Sequence, residues 1–372
     1  MIEPKEFVDA LAGQGIEFFA GVPDSLLKSF CAYVDDHGQP RQHVITANEG
    51  NAVAMASGYH MATGRTAVVY LQNSGLGNTI NPLVSIADKE VYQIPMLLVV
   101  GWRGEPGVKD EPQHIKQGRI TPGQLELLEI PYQIVGADSE PQALVAWARQ
   151  QLDDTGAPVA LLVKKDAFAS YKSQRKPATH AKMKREAALA ELLELAGDAS
   201  IVSTTGKTSR EVFELRVARK EIQRDFLTVG GMGHTASIAL GAAIGQPNKP
   251  VVCIDGDGSA LMHLGALPII GSLKPINLTH VLLNNAAHES VGGQPTVADR
   301  TDFRAIALAS GYTDYAVAST PEELKAAWQQ LANVLGPVML EVRITTGSRD
   351  DLGRPTSTPR ENKQAFMECL IQ

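Results

Sequence analysis

Short, near-continuous apolar blocks alternate with longer blocks of helical period along this chain, and the alternation runs twice. In the first half IEFFAGV, HVITA, TAVVYLQNS, PMLLVVGW, YQIVGA and PVALLVKK have the uninterrupted apolar character of strands buried on both faces. DSLLKSFCAYV, NEGNAVAMASGYHMATG, GLGNTINPLVSIADK, TPGQLELLEI and EPQALVAWARQQLDD lie between them and read as helices. Asp24 or Ser25 is expected to cap the first of these, and a polar loop is expected from Arg103 to about Gln117. Residues 169–185, ASYKSQRKPATHAKMKR, have no apolar period and read as a linker. The pattern then restarts, from the helix REAALAELLELAG and the strand ASIVSTTG to the strand PVMLEVRI. The expected architecture is α/β, with two similar units, each a mostly parallel sheet with helices on both faces. The expected boundaries are 1–168, a linker over 169–185, 186–346, and a tail over 347–372 with one short helix.

The rest of the composition narrows the class. The length of 372 residues suits two domains of ordinary size. No apolar run approaches the roughly 18 residues of a membrane span, and the acidic N-terminus lacks the basic, then apolar, form of a signal peptide. Cys31, Cys253 and Cys369 are odd in number and far apart, which fits a reducing, cytoplasmic setting. The net charge of -7 speaks against nucleic acid as a partner, but a small anionic substrate can still be held by local cations.

The stretch PVVCIDGDGSALM, residues 250–262, is chemically odd: a buried strand runs into two acids and two glycines where a helix should begin. Ligands of open parallel sheets sit beyond the carboxyl ends of the strands, and a helix start suits a phosphate. Gly256 and Gly258 allow close backbone approach, but the carboxylates would repel a phosphate. A divalent cation between them removes the contradiction, since Mg²⁺ takes oxygen ligands and bridges carboxylate to diphosphate. Asn284 and Asn285 end the next strand, with 25 residues between Gly258 and Asn284, which is room for one helix and one strand.

The GDG motif followed at this distance by NN resembles the signature of thiamine-diphosphate enzymes. That resemblance implies Mg²⁺ held by Asp257, the Asn285 side chain and the Ala287 carbonyl, with Asp255 supporting the turn. It implies a diphosphate site including Gly256, Gly258, Ser259, Glu289 and Ser290, joined by Thr205, Lys207 and Thr208 of TTGKTSRE. Met232 in VGGMGH would lie beneath the bent cofactor, and the Gly230 carbonyl would accept from its 4′-amino group. Glu49, in TANEGNAVAMASGYHMATGR, would hydrogen-bond the pyrimidine N1′. Glu49 and Asp257 fall in different units, and the family sets one subunit's pyrimidine-binding unit against another's diphosphate-binding unit. A homo-oligomer with active sites between subunits is the implication.

Other motifs fail on their own terms. TTGKTSRE has the tail of a Walker motif, but Ile201 stands where its first glycine belongs. GGMGHTA lacks the acid of a dinucleotide fingerprint in the required context. His114, His234, His263 and His288 show no metal-ligand spacing.

Within that superfamily, GVPDSLL, YLQNSGLGNTINPL and NNAAHESVGGQPT closely resemble the phosphonopyruvate decarboxylases, with sulfopyruvate decarboxylases as their nearest relatives. The short linker leaves no room for the middle domain that many members carry. The implied reaction converts 3-phosphonopyruvate to phosphonoacetaldehyde and CO₂; sulfopyruvate decarboxylase, or another 2-oxo acid decarboxylase or carboligase, is the alternative. Asp24 and His114 are expected to pair in proton transfer or substrate orientation. His288 is a candidate proton donor, because Val291 stands near the position where pyruvate decarboxylases carry a glutamate. Lys116 and Arg119, with Lys109, are expected on a loop that closes over the site and grips the phosphonate.

Overall fold

The computed structural model describes residues 1–39, 41–175 and 181–371. The chain divides into two compact units, Met1–Lys176 and Pro177–Gln372. Residues 176–180 of the expected linker lie outside the described residues.

The first unit runs α1 (Pro4–Gly13), β1 (Phe18–Gly21), α2 (Lys28–His37), β2 (His43–Ile45), α3 (Glu49–Thr63), β3 (Ala67–Gln72), α4 (Leu76–Pro82), β4 (Met96–Gly101), α5 (Pro112–Leu127), β5 (Tyr132–Val135), α6 (Pro141–Thr155) and β6 (Val159–Val163). Its six strands are all parallel, in the order β2-β1-β3-β4-β6-β5. The strands read as unbroken apolar runs because both faces are covered. Val68 and Tyr70 of β3 join a core with Phe7 of α1, Phe30 of α2 and Val145 of α6. Val69 and Leu71 face the opposite way, onto Val53 of α3, Leu76 of α4 and Leu125 of α5.

The second unit runs α7 (Arg185–Ala196), β7 (Ser200–Ser203), α8 (Lys207–Ala218), β8 (Phe226–Leu227), α9 (Thr235–Gly245), β9 (Val251–Gly256), α10 (Asp257–Met262), α11 (Ala266–Leu273), β10 (Leu278–Asn284), α12 (Phe303–Ser310), β11 (Asp314–Ala318), α13 (Pro321–Ala332), β12 (Val338–Arg343) and α14 (Pro359–Ile371). Its sheet is again six-stranded and parallel, ordered β11-β12-β10-β9-β7-β8. Counting strands from the start of each unit, both sheets read 2-1-3-4-6-5, so the repeated sequence pattern is a repeated topology.

Three expectations need correction. The segment expected as a loop to Gln117 is helical from Pro112, so His114, Lys116 and Arg119 all lie on α5. Gly118, Pro122 and Gly123 disguise this helix, and tertiary contacts explain two of them. A Cβ on Gly118 would lie 1.8 Å from the Gly104 carbonyl oxygen. Pro122 has no N–H for the Gly118 carbonyl, and the Trp102 indole donates to that carbonyl instead at 2.8 Å. Neither Asp24 nor Ser25 caps α2, which starts at Lys28 with no side-chain cap. The expected single helix SALMHLGALPIIGSL is two, α10 and α11, interrupted at His263. The terminal helix packs onto the second unit: Asn362 of α14 accepts from the Leu227 N–H at 3.0 Å and donates to the Asp225 carbonyl at 2.8 Å, while Phe366 enters the core.

Candidate active site

In the second unit the ends of β7, β8, β9 and β10 carry the expected motifs. Asp257 opens α10 directly after β9 and is 3% exposed. Its Oδ2 accepts from the Thr296 hydroxyl at 2.6 Å. Burial nevertheless dominates and pushes its pKa up to about 6. The loop after β10 folds back on itself to supply Thr296. The Ala286 carbonyl accepts from the Thr296 N–H at 3.0 Å, and the Gln294 carbonyl accepts from the His288 N–H at 2.8 Å. Gly258 permits the convergence, since a Cβ there would lie 3.0 Å from the His288 ring and 3.3 Å from the Met232 methyl. Thus GDG, His288 and Met232 meet at one point.

The two asparagines have separate tasks. Asn284 is held within the sheet: its amide donates to Glu341 at 2.9 Å and its oxygen accepts from the Ala286 N–H at 3.1 Å. Asn285 donates to Glu289 Oε2 at 3.0 Å and accepts from the Ala287 N–H at 3.1 Å. Asp255 accepts from the Gly256 N–H at 2.9 Å, as suits a turn support. Its other oxygen is buried 3.8 Å from His280 Nε2, and the Tyr312 hydroxyl meets His280 Nδ1 at 3.0 Å.

Lys207, at the start of α8, pairs with Glu289 at 2.8 Å. Arg185 pairs with the same carboxylate at 2.8 Å and with Glu211 through two bonds of 2.7 and 2.9 Å. Burial works to raise the Glu289 pKa, but Lys207 and Arg185 hold it below the usual carboxylate range. Burial pushes His288 down to about 4, so its imidazole is neutral at pH 7. Ser259 accepts from the Gly233 N–H at 3.0 Å, Thr208 is buried, Thr205, Gly230 and Gly256 are partly exposed at the same strand ends, and Ser290 is exposed.

In the first unit, Glu49 is the first residue of α3, capped by Asn48, and is 5% exposed. Its Oε2 accepts from Asn78 at 2.7 Å. Gly75 packs against the other oxygen so closely that a Cβ would lie 2.3 Å from Oε1. Asp24 is wholly buried, accepting from Gln72 at 2.6 Å and from the Leu26 N–H at 2.9 Å. Burial pushes its pKa up; the bonds from Gln72 and Leu26 and the charge of Arg103 oppose this. His114 is buried in the first turn of α5, and its pKa falls to about 4 through burial first and Arg103 second.

The expected Asp24–His114 pairing is replaced by a different arrangement. No hydrogen bond joins the two among the described residues, and His114 Nδ1 has no partner there. Arg103 acts on both. Its Nε donates to Asp110 at 2.8 Å and its Nη1 to the Ser25 hydroxyl at 2.8 Å. Asn73, wholly buried, locks the Arg103 backbone by accepting its N–H at 3.1 Å and donating to its carbonyl at 2.8 Å. Lys116 and Arg119 are exposed on α5. Sequence reasoning missed Gln72, Asn73, Arg103 and Asp110. The polar pair that ends the apolar strand YLQN was the available signal, of the same kind as the GDG signal.

Residues 5–125 match the family model described as thiamine pyrophosphate enzyme, N-terminal TPP binding domain, and residues 204–342 match the corresponding C-terminal TPP binding domain. The chain is 36% identical over 383 residues to a phosphonopyruvate decarboxylase of Streptomyces viridochromogenes, covering 98% of this chain and 94% of that protein. It is 35% identical over 391 residues to a phosphonopyruvate decarboxylase of Streptomyces hygroscopicus, covering 100% and 95%. A sulfopyruvate decarboxylase of Methanosarcina acetivorans is 27% identical over 397 residues, covering 100% and 98%.

Proposed function

The chain belongs to the thiamine-pyrophosphate enzymes, among the relatives of the phosphonopyruvate decarboxylases, and on that premise we propose that it decarboxylates 3-phosphonopyruvate to phosphonoacetaldehyde with thiamine diphosphate and Mg²⁺, as a step in phosphonate biosynthesis. The donor set fits the cofactor. Asp257 is a buried carboxylate whose pKa burial raises, and a divalent cation would favour its charged form. Asn285 and the Ala287 carbonyl add oxygen ligands of the kind Mg²⁺ prefers. The strand-end turns at Thr205, Gly206, Gly256 and Gly258 suit a diphosphate, with Thr208, Ser259 and Ser290 as hydroxyl donors.

Thiamine diphosphate supplies the electron sink that loss of CO₂ from a 2-oxo acid requires. The remaining tasks fall to side chains. Met232 and the Gly230 carbonyl would shape the cofactor, and Glu49, fixed by Asn78 and Gly75, would hold a proton at the pyrimidine N1′. Burial favours the protonated form of Asp24, and His114 and His288, held neutral by burial, can each accept a proton. Arg103 is better placed than Lys116 and Arg119 to orient the substrate's dianionic end, because it sits half-buried beside Asp24 and Ser25. A homo-oligomer would bring Glu49 of one chain to the second unit of another.

The observation that carries this reading is buried Asp257 bonded by Thr296, a residue of the same loop after β10 that carries Asn285. Aldehyde and CO₂ release from phosphonopyruvate, sulfopyruvate and pyruvate tests it. A kcat/KM highest for phosphonopyruvate is expected, and preference for sulfopyruvate would transfer the assignment to that neighbouring activity. The phosphono assignment is favoured because those relatives are 35–36% identical against 27% for the sulfopyruvate enzyme.

A further inference from the structure

We propose that Glu289 is the positioning residue for Asn285, and that Arg185 and Glu211 hold Glu289 in that role. This rests on the reading of Asn285 as a ligand of the metal. A side-chain amide can sit in either of two flipped orientations, and a partner for its nitrogen fixes in advance the one that presents oxygen. The Asn285 nitrogen donates to Glu289 Oε2 at 3.0 Å, while its oxygen accepts from the Ala287 N–H at 3.1 Å. An ionised carboxylate can only accept, so flipping the amide would set oxygen against oxygen. Glu289, together with the Ala287 N–H, therefore favours one of two orientations of nearly equal shape.

Glu289 is itself fixed from outside the loop. Lys207 grips one oxygen at 2.8 Å and Arg185 the other at 2.8 Å. Arg185 is locked by Glu211 through its second and third nitrogens, at 2.7 and 2.9 Å. Arg185 and Glu211 are almost wholly buried, at 5% and 1% exposure. Two carboxylates and two cations leave the cluster without net charge, so it can lie beside a bound cation without repelling it. Lys207 is thereby tied to Glu289, which makes its share in holding a diphosphate secondary to this task. Support of this kind for a metal ligand is worth about 10- to 100-fold in metal affinity.

Calorimetric titration of Mg²⁺ into metal-free protein saturated with thiamine diphosphate tests the proposal. Glu289→Ala should weaken Mg²⁺ binding by about 10- to 100-fold. Aspartate in place of Asn285 offers oxygen in either orientation, so in the Asn285→Asp background Glu289→Ala should cause no loss. Equal loss in both backgrounds, or no loss in the first, overturns the proposal. If Glu289→Ala does not fold, Glu289→Met, a weak acceptor for Asn285 at most, replaces it in both arms with the same two contrasting outcomes. A parent protein that takes up no Mg²⁺ with the cofactor would refute the proposed function instead, which keeps the two failures distinct.

Discussion

Replacing Asp257 by asparagine should stabilise the metal-free protein while abolishing metal binding. Burial raises this carboxyl from 3.8 to about 6 even though Thr296 donates to it. The folded chain therefore holds the proton more tightly than the unfolded chain does. Below about pH 4 both states are protonated and the full stabilisation is present. It is lost as pH rises towards 6, where the folded state must also ionise. At about 1.4 kcal/mol per pH unit, the stretch from 3.8 to about 6 amounts to about 3 kcal/mol. Asparagine has the same shape, accepts the same Thr296 bond and does not ionise. Urea unfolding with a chelator should show Asp257→Asn matching the parent near pH 4 and exceeding it by up to about 3 kcal/mol at pH 8. With Mg²⁺ and thiamine diphosphate the order should reverse, because only the parent gains stability by binding. A variant less stable than the parent at pH 8 under chelation would refute the reasoning.

Other substitutions address single contacts. Thr296→Val removes the donor to Asp257 and favours its protonated form, so the pH below which Mg²⁺ binding fails should move upward from about 6 in a binding-versus-pH series. An unmoved midpoint would count against the contact. Gly75→Ala places a methyl 2.3 Å from Glu49 Oε1; displacing the carboxyl by about 1 Å should lower kcat/KM by about 100-fold with an unchanged circular dichroism spectrum. Wild-type kinetics would show that Glu49 needs no such placement. Arg103→Ala should raise the KM for phosphonopyruvate by about 10-fold or more, the worth of one charge-assisted pair. Lys116→Ala and Arg119→Ala should leave it near the parent value, and the opposite ranking would return the grip to α5.

Legibility followed the physics of each segment. The duplicated parallel sheet could be read because strands covered on both faces must be apolar at nearly every position, as Val68 to Leu71 are. GDG and NN could be read because each falls at a strand end and one helix and one strand separate them. Helix α5 was hidden because Gly118 and Pro122 answer to Gly104 and Trp102, distant contacts that override propensity. The Arg185–Glu211–Glu289 cluster was hidden for a related reason. Its members come from α7, α8 and the loop after β10, and nothing local marks an arginine in one helix as the partner of two glutamates elsewhere. Arg103 looked like the first residue of a solvated loop, and only the fold shows Asn73 and Asp110 fixing it.

The most direct measurement is an aldehyde dehydrogenase-coupled assay of phosphonopyruvate with protein stripped of cofactor and metal. Turnover is predicted only when thiamine diphosphate and Mg²⁺ are both restored, and it should vanish in Asp257→Asn. Turnover without thiamine diphosphate, or cofactor uptake with no aldehyde formed, would contradict the account.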